Sequence, residues 1–314
     1  MKVYVLYENE AWLPPLRRAL EREGLPFQEV FVDGGAIDLA EPPPEGVFIN
    51  RMSPSAHTRD HGDGVHYLRE YLYHLEAHGR RVINGSKAFQ LEVSKVYQDA
   101  ALRAAGIGTP HTMAVAGRKA LHAAARKVQP PFITKHNMGG KGLGVRLFRN
   151  YEEFDAYVDG AEFEAPFDGI TLVQQYVEPA GGFITRVEIV GDQLQYAIRS
   201  STAGGFELCP ADSCNVATIG DAFCPVGESG SGKFGWRDDI RADDPLVQQY
   251  VALMKRYQID VAGIEFLEDS EGRRYTYDIN ANTNYNGDVE AQHGFDGMGS
   301  IAKLVARELA RLSS

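Results

Sequence analysis

Glu265 lies in the run Val261-Ala262-Gly263-Ile264-Glu265-Phe266-Leu267, and Asp278-Ile279-Asn280 closes a second run that begins at Arg274. Between them stands Asp269-Ser270-Glu271-Gly272, a turn signal flanked by strand-like segments. A hairpin folded there sets Glu265 across from, or diagonal to, Asp278. Side chains alternate along a strand, so Asp278 and Asn280 share one face. Three oxygen ligands converging on one spot suit a hard cation such as Mg²⁺, which usually arrives carrying substrate phosphates. A nucleotide or other phosphate site elsewhere in the chain is the expected companion of that arrangement.

Two glycine-rich runs are candidates for it. Gly139-Gly140-Lys141-Gly142-Leu143-Gly144 joins two strand-like segments, 132–135 and 145–148. That excludes a dinucleotide-binding crossover, which requires a helix after the glycines. A glycine-rich hairpin loop can instead lie over phosphates and offer backbone N–H groups to them. Lys135, four residues ahead of Gly139, adds a fixed ammonium, while Lys141 itself reads as a turn lysine. The second run, Gly227-Glu228-Ser229-Gly230-Ser231-Gly232-Lys233, superficially matches a P-loop. Phe234 stands where that motif needs Ser or Thr, and Gly235-Trp236-Arg237 starts no helix, so it reads as a surface turn or a flap over substrate.

The elements that must position these residues alternate at first. Residues 3–7, 27–32, 47–50 and 81–84 read as strands, and 15–23 and 65–78 as helices with one apolar face, stopped by Gly24 and Gly79. Alternating β and α of this kind predicts a small parallel sheet. Ser86 is the expected N-cap of a helix running to about Ala105 and ended by Gly106. Strands follow at 132–135, 145–148, 171–177, 183–190 and 193–198, with a helix at 151–158 and a tight turn at Gly191-Asp192. Residues 200–242 read as irregular. A helix starts at Asp244-Pro245, and 300–312 closes the chain with a stripe of Ile301, Leu304, Val305, Leu309 and Leu312.

The 314 residues are 44% hydrophobic with a formal net charge of −11, an ordinary globular composition. No Lys/Arg-rich block offers the basic face of a nucleic-acid or membrane-surface binder. The start, Met1-Lys2-Val3-Tyr4, reads as a first strand rather than a signal peptide, and no apolar stretch is long enough to span a membrane. Three cysteines, Cys209, Cys214 and Cys224, lack CxxC spacing and nearby histidines. They predict reduced thiols in a cytoplasmic protein rather than a disulfide framework or a zinc site. His57, His61 and His66 read as solvated histidines rather than a metal site.

Taken together, these parts resemble the ATP-grasp superfamily and, within it, the RimK-type carboxylate–amine ligases. Lys95 in Glu92-Val93-Ser94-Lys95, followed by Ala105-Gly106-Ile107-Gly108-Thr109-Pro110, is similar to the family's first nucleotide lysine and the segment after it. Phe132-Ile133-Thr134-Lys135 with 139–145 is similar to the second lysine and the mobile phosphate loop, here Gly139, Gly140, Gly142 and Gly144. Val173-Gln174-Gln175-Tyr176-Val177 is similar to the hinge that holds adenine. Glu265, Asp278 and Asn280 fall on the family's magnesium ligands. Three positions depart from the pattern: Gln175 replaces the usual hinge glutamate, Ile184 stands where the ribose-binding acid is expected, leaving Glu178 as the alternative, and 204–212 replaces an Arg–x–Asn pattern.

The resemblance implies an α/β (α+β) ATP-grasp fold. Its parts are an N-terminal parallel α/β domain with a linking helix (1–108), a central lid with the glycine-rich loop (109–175) and a C-terminal subdomain with the metal site (176–314). It implies ATP with one or two Mg²⁺ ions, Mn²⁺ being an alternative, and an amide bond formed through an acyl phosphate on an amino acid or short peptide. Arg186 and Arg199 are the candidates to stabilise the transferring phosphoryl group. Arg51, Ser53 and Arg59 follow a parallel strand and are candidates for a substrate carboxylate, with Asn284 and Asn286 adding polar contacts. Arg51 and Arg59 read equally well as structural salt-bridge partners. A small-molecule kinase or a non-catalytic ATP-binding module on the same scaffold are the competing functions, and a homo-oligomer is left open.

Overall fold

The computed structural model of the chain describes residues 1–140, 142, 144–202 and 234–313. Within them the strands form three sheets. The first is parallel, in the order β2-β1-β3-β4, from β1 (Lys2–Tyr7), β2 (Phe27–Phe31), β3 (Gly46–Arg51) and β4 (Arg81–Ile83). β1 and β3 are near-continuous apolar runs because both faces are covered, as parallel sheets require. Helices Pro14–Arg22 and Gly297–Ser313 bring Leu16, Leu20, Ile301 and Val305 against Val3, Val5, Val47 and Ile49. Helix Gly62–Ala77 brings Leu68, Leu72 and Leu75 against Tyr4, Leu6 and Phe48 on the opposite face.

The second sheet is antiparallel in the order β5-β8-β6-β7: β5 (Thr112–Ala116), β6 (Phe132–His136), β7 (Arg146–Phe148) and β8 (Ile170–Gln175). Phe132, Phe148 and Phe154 interlock beneath it with ring centroids 5.2–5.8 Å apart. The third sheet is also antiparallel, in the order β11-β10-β9-β12-β13: β9 (Phe183–Val190), β10 (Gln193–Ser201), β11 (Phe234–Trp236), β12 (Val261–Glu268) and β13 (Arg274–Asn280). Val187, Ile189, Ile264 and Phe266 pack on Val247, Tyr250, Leu253 and Met254 of helix Pro245–Tyr257. The residues between them in β9 and β12, Arg186, Glu188 and Glu265, therefore share the opposite face.

The single helix expected from Ser86 to about Ala105 is two, Ser86–Glu92 and Lys95–Ala104. Ser94 breaks it: its backbone is extended (φ −144°, ψ 102°) and its hydroxyl accepts from the Tyr97 N–H at 3.2 Å, capping the second helix. Ser86 is the first residue inside its helix rather than the cap, because the Glu76 carboxylate takes its N–H at 2.7 Å and its hydroxyl at 2.5 Å. Edge strand β5, of whose residues Val115 alone is buried, and helices Leu121–Ala125 and Gly287–His293 add to the expected elements. β10 runs on to Ser201, and β11 lies within the stretch read as irregular. The run 227–233, the segment 204–212, the three cysteines, Lys141 and Leu143 lie outside the described residues.

Candidate active site

The three sheets converge on a cavity of about 430 Å³. Its walls include Ser53 and Ser55 beyond the end of β3, Lys135, Gln174 and Gln175 of the second sheet with Tyr176 and Val177 just past it, and Arg186, Glu265, Asp278 and Asn280 of the third. A volume of that order is typical of small-molecule and cofactor sites.

The acidic hairpin has the expected register. Glu265 pairs directly with Asp278, and Gly263 with Asn280. An irregularity at Glu265/Phe266 leaves Tyr277 as the extra residue, and its hydroxyl donates to Glu265 Oε2 at 3.0 Å. The connecting turn is held by Asp269, whose Oδ1 accepts the N–H groups of Glu271 and Arg273, both at 2.9 Å. Arg186, opposite Glu265 on β9, spreads its guanidinium over three partners: Glu188 at 2.6 Å, Glu265 at 2.8 Å and Thr283 Oγ1 at 2.6 Å. That fork lies against Gly263, where a Cβ would sit 2.3 Å from Arg186 Nη2. Only glycine fits beneath it.

Lys95 Nζ donates to Asp278 Oδ1 at 2.5 Å. Burial works to raise the Asp278 carboxyl, but Lys95 and Lys135 outweigh it and hold Asp278 below the usual carboxylate range. Glu265 goes the other way, raised by burial, with the Asp278 charge adding to it and Arg186 only partly compensating. Burial lowers Lys135 first, and the neighbouring Lys95 charge lowers it further, to about 8. Burial works to lower Lys95, but the Asp278 charge and hydrogen bond, with the charges of Glu92 and Glu265, together hold it above its ordinary value.

This donor set fits a hard cation. A buried carboxylate, a half-buried one and an amide face one another across a single hairpin, and Asn280 donates through Nδ2 to Asp278 Oδ2 and Gly263 O, both at 3.4 Å, which leaves its oxygen for a ligand. No group of three His, Cys, Asp or Glu that could hold a metal occurs among the described residues. An ion here would have to complete its shell from a phosphate and water, as Mg²⁺ characteristically does.

The nucleotide candidates gather on the same cavity. Lys95 opens its helix, which Asn137 pins to the second sheet by accepting Val96 N–H at 2.8 Å and by its carbonyl accepting Lys95 N–H at 3.2 Å. Lys135 Nζ donates to Tyr277 O at 3.3 Å. Gly139, Gly140, Gly142, Gln174, Gln175, Tyr176 and Val177 line the cavity. Gln174 is buried and donates to Thr112 Oγ1 at 2.7 Å, so its amide braces β5. Gly144 and Glu178 are not among the lining residues; Gly144 lies against the His136 ring and Glu178 is exposed.

The arginines divide. Arg186 reaches the cavity, whereas Arg199 does not line it. The β9–β10 register pairs Ile198 with Arg186 and Arg199 with Thr185, so Arg199 is on the other face of the sheet, where its guanidinium lies 5.6 Å from the Phe183 ring centroid. Arg51 is buried behind the cavity, donating to Thr283 O and Asn284 Oδ1, both at 2.7 Å, and burial lowers it to about 10. Arg59 pairs with the fully buried Glu8 carboxylate and donates to Ser55 Oγ at 3.3 Å. Ser53 and Asn284 line the cavity, while Asn286 caps helix Gly287–His293 by accepting Val289 N–H at 3.0 Å. The three histidines share no common point: His61 bonds Glu8 at 3.0 Å, and His57 and His66 stack on Phe167.

Sequence reasoning missed Glu92, Tyr277, Glu188, Thr283 and Asn282. Glu92 lines the cavity at 6% exposure, and its Oε2 accepts the Ala281 N–H. Burial, with the Asp278 charge adding, pushes it up to about 7. Its position three residues before Lys95 was the available signal.

The model of the RimK-like ATP-grasp domain matches residues 94–208. Beta-citrylglutamate synthase B of Danio rerio is 27% identical over 247 residues, which are 77% of this chain and 55% of that protein, so the chain spans about half the length of this curated relative. The crystal structure of a RimK domain ATP-grasp protein from Sphaerobacter thermophilus superposes with a TM-score of 0.67 at 18% identity, covering 96% of this chain and 98% of the other. The ATP-grasp ligase PsnB, complexed with minimal precursor, Mg and ADP, superposes with a TM-score of 0.63 at 14% identity over 98% of this chain and 97% of its own. The fold is that of the ATP-grasp proteins.

Proposed function

We propose, from the premise that residues 94–208 form a RimK-like ATP-grasp domain, that this protein is an ATP-dependent carboxylate–amine ligase acting on an amino acid or short peptide. The observation that carries the reading is the direct pairing of Glu265 with Asp278 in the cavity that also holds Lys95, Lys135 and Arg186. The names of the similar proteins, a citrylglutamate synthase and a ligase complexed with its precursor, support amide formation on small or peptidic substrates.

In this reading ATP lies across the cavity, with its base at Gln175, Tyr176 and Val177 and its phosphates toward Lys95, Lys135 and the glycines at 139, 140 and 142. Glu265, Asp278 and Asn280 would hold Mg²⁺, which supplies screening of the negative charge on the phosphate oxygens. Lys95 exchanges its Asp278 contact for a phosphate oxygen. Arg186, rigid because three partners fix its fork, stabilises the charge that develops as a substrate carboxylate oxygen attacks the γ-phosphorus and ADP leaves. The amine nitrogen then attacks the acyl carbon, phosphate departs, and the nitrogen gives up a proton. Gly139, Gly140 and Gly142, which line the cavity, would shield the acyl phosphate from water. We place this reaction in the cytoplasm, where ATP and reduced thiols coexist; no helix among the described residues is long and apolar enough to cross a membrane.

The test is a phosphate-release screen with ATP, Mg²⁺ and pairs of acids and amines. A ligase gives ADP and free phosphate only when acid and amine are both present. ADP with a stable phosphoester and no free phosphate identifies a kinase, and nucleotide binding without turnover across the panel identifies a binding module.

A further inference from the structure

The loop before β8 reaches across to the first sheet's side of the molecule through one ring. Phe167 stacks on His57, with centroids 4.7 Å apart and planes 17° off parallel, and on His66 at 5.8 Å and 23°. Gly62, which opens the helix that carries His66, makes room for the ring: a Cβ there would lie 3.1 Å from Phe167 Cζ. His57 is held in turn by Pro54, whose carbonyl accepts from Nδ1 at 3.1 Å. Phe167 stays 43% exposed, so parting this contact uncovers little apolar surface.

Asp168, the next residue, holds Asn137. A carboxylate only accepts. Asn137 therefore turns its NH₂ to Asp168, Nδ2 donating to Oδ2 at 2.6 Å, and keeps its oxygen for other donors. Those donors stand at the start of helix Lys95–Ala104. Asn137 Oδ1 accepts from Val96 N–H at 2.8 Å and from the Ser94 hydroxyl at 3.3 Å, and the Asn137 carbonyl accepts Lys95 N–H at 3.2 Å. Asn137 is buried, and a reversed amide would set its NH₂ against the Val96 N–H and leave both donors unsatisfied. Lys95 is thus placed by an amide whose sense is fixed by the residue beside Phe167.

We propose that Phe167 and Asp168 are positioning residues for Lys95. With the ring seated against His57, His66 and Gly62, Asp168 holds Asn137 and Asn137 holds the helix start from which Lys95 reaches a nucleotide phosphate. With the ring unseated, that hold loosens and the nucleotide binds weakly. The assignment rests on the nucleotide placement in the ligase reading, and adds that a contact made by residues outside the cavity lining sets nucleotide affinity.

The experiment measures the dissociation constant of ADP with Mg²⁺ by calorimetry on the full chain. The proteins are the native chain, Phe167→Ala, Phe167→Tyr, Gly62→Val, Lys95→Met, and Phe167→Ala combined with Lys95→Met. Phe167→Ala and Gly62→Val perturb the contact from its two sides, and each is expected to weaken ADP about threefold to tenfold, the scale of a lost ring pair. Phe167→Tyr keeps the ring and is expected to bind as the native chain does. Lys95→Met is expected to weaken ADP about tenfold or more, and adding Phe167→Ala to it to cost nothing further, because the ring acts through that lysine. Native affinity in both Phe167→Ala and Gly62→Val overturns the proposal. So does a Phe167→Ala loss that recurs in full on top of Lys95→Met, which marks a general loosening of the loop. If Phe167→Ala fails to fold, Gly62→Val takes its place in the cycle. A native chain that binds no ADP removes the nucleotide reading itself; ADP binding that is intact in the native chain and unmoved by the ring variants removes this role alone.

Discussion

Lys135 titrates where it can be measured. Burial and the charge of Lys95 hold its ammonium at about 8, against 10.5 for an ordinary lysine. A diphosphate needs the protonated form, and its own negative charge raises the lysine once bound. Above pH 8 binding must therefore take up a proton, so affinity falls as pH rises. In the free protein at pH 9 roughly nine-tenths of Lys135 is neutral, and at pH 7 roughly a tenth. If the bound form titrates two units or more higher, the dissociation constant for ADP rises about tenfold between pH 7 and pH 9, ~1.4 kcal/mol. The terminal phosphate of ADP itself titrates near ~6, below that window. Calorimetry with ADP and Mg²⁺ at pH 7, 8 and 9 reads the slope. Lys135→Arg, charged throughout, is expected to flatten it, and Lys135→Ala to bind weakly at every pH. A flat native profile, or the native slope persisting in Lys135→Ala, would refute the charge assignment.

Glu265→Gln is expected to lower phosphate release by about 10²–10³-fold or more while the circular dichroism spectrum persists, since Arg186 keeps Glu188 as its counter-ion; native rates in that variant would remove the metal assignment. Gly263→Ala puts a methyl 2.3 Å from Arg186 Nη2 and is expected to displace the fork, lowering both melting temperature and turnover; unchanged values for both would show that the fork is not needed. Arg186→Met leaves Glu188 and Glu265 buried without their cation, and urea unfolding should report a loss of about 3–5 kcal/mol.

The acidic hairpin was legible because its information is local. A turn at 269–272 between two alternating runs allows few registers, and the one adopted pairs Glu265 with Asp278. The glycine-rich loop with Lys135 ahead of it, and the parallel sheet at the start, were legible for the same reason: short-range pattern and turn chemistry decide them. The helix break at Ser94 was also written locally, as a capping hydroxyl just before Lys95, but no glycine or proline between Ser86 and Ala105 marks the stop.

The fates of the arginines were not legible. Arg199 and Arg186 sit on neighbouring strands, and whether they share a face depends on a register that a single-residue slip inverts. Arg59 answers to Glu8, 51 positions away, and Arg51 to Thr283, 232 positions away.

By itself the chain's sequence determined which oxygen and nitrogen groups are available and which short segments present them together, because alternation and turns act over a few residues. Tertiary structure alone decided which charges are already spent on one another and which amide oxygens are left unpaired. That depends on three sheets closing on one cavity, which brings residues far apart in the chain within reach of one another.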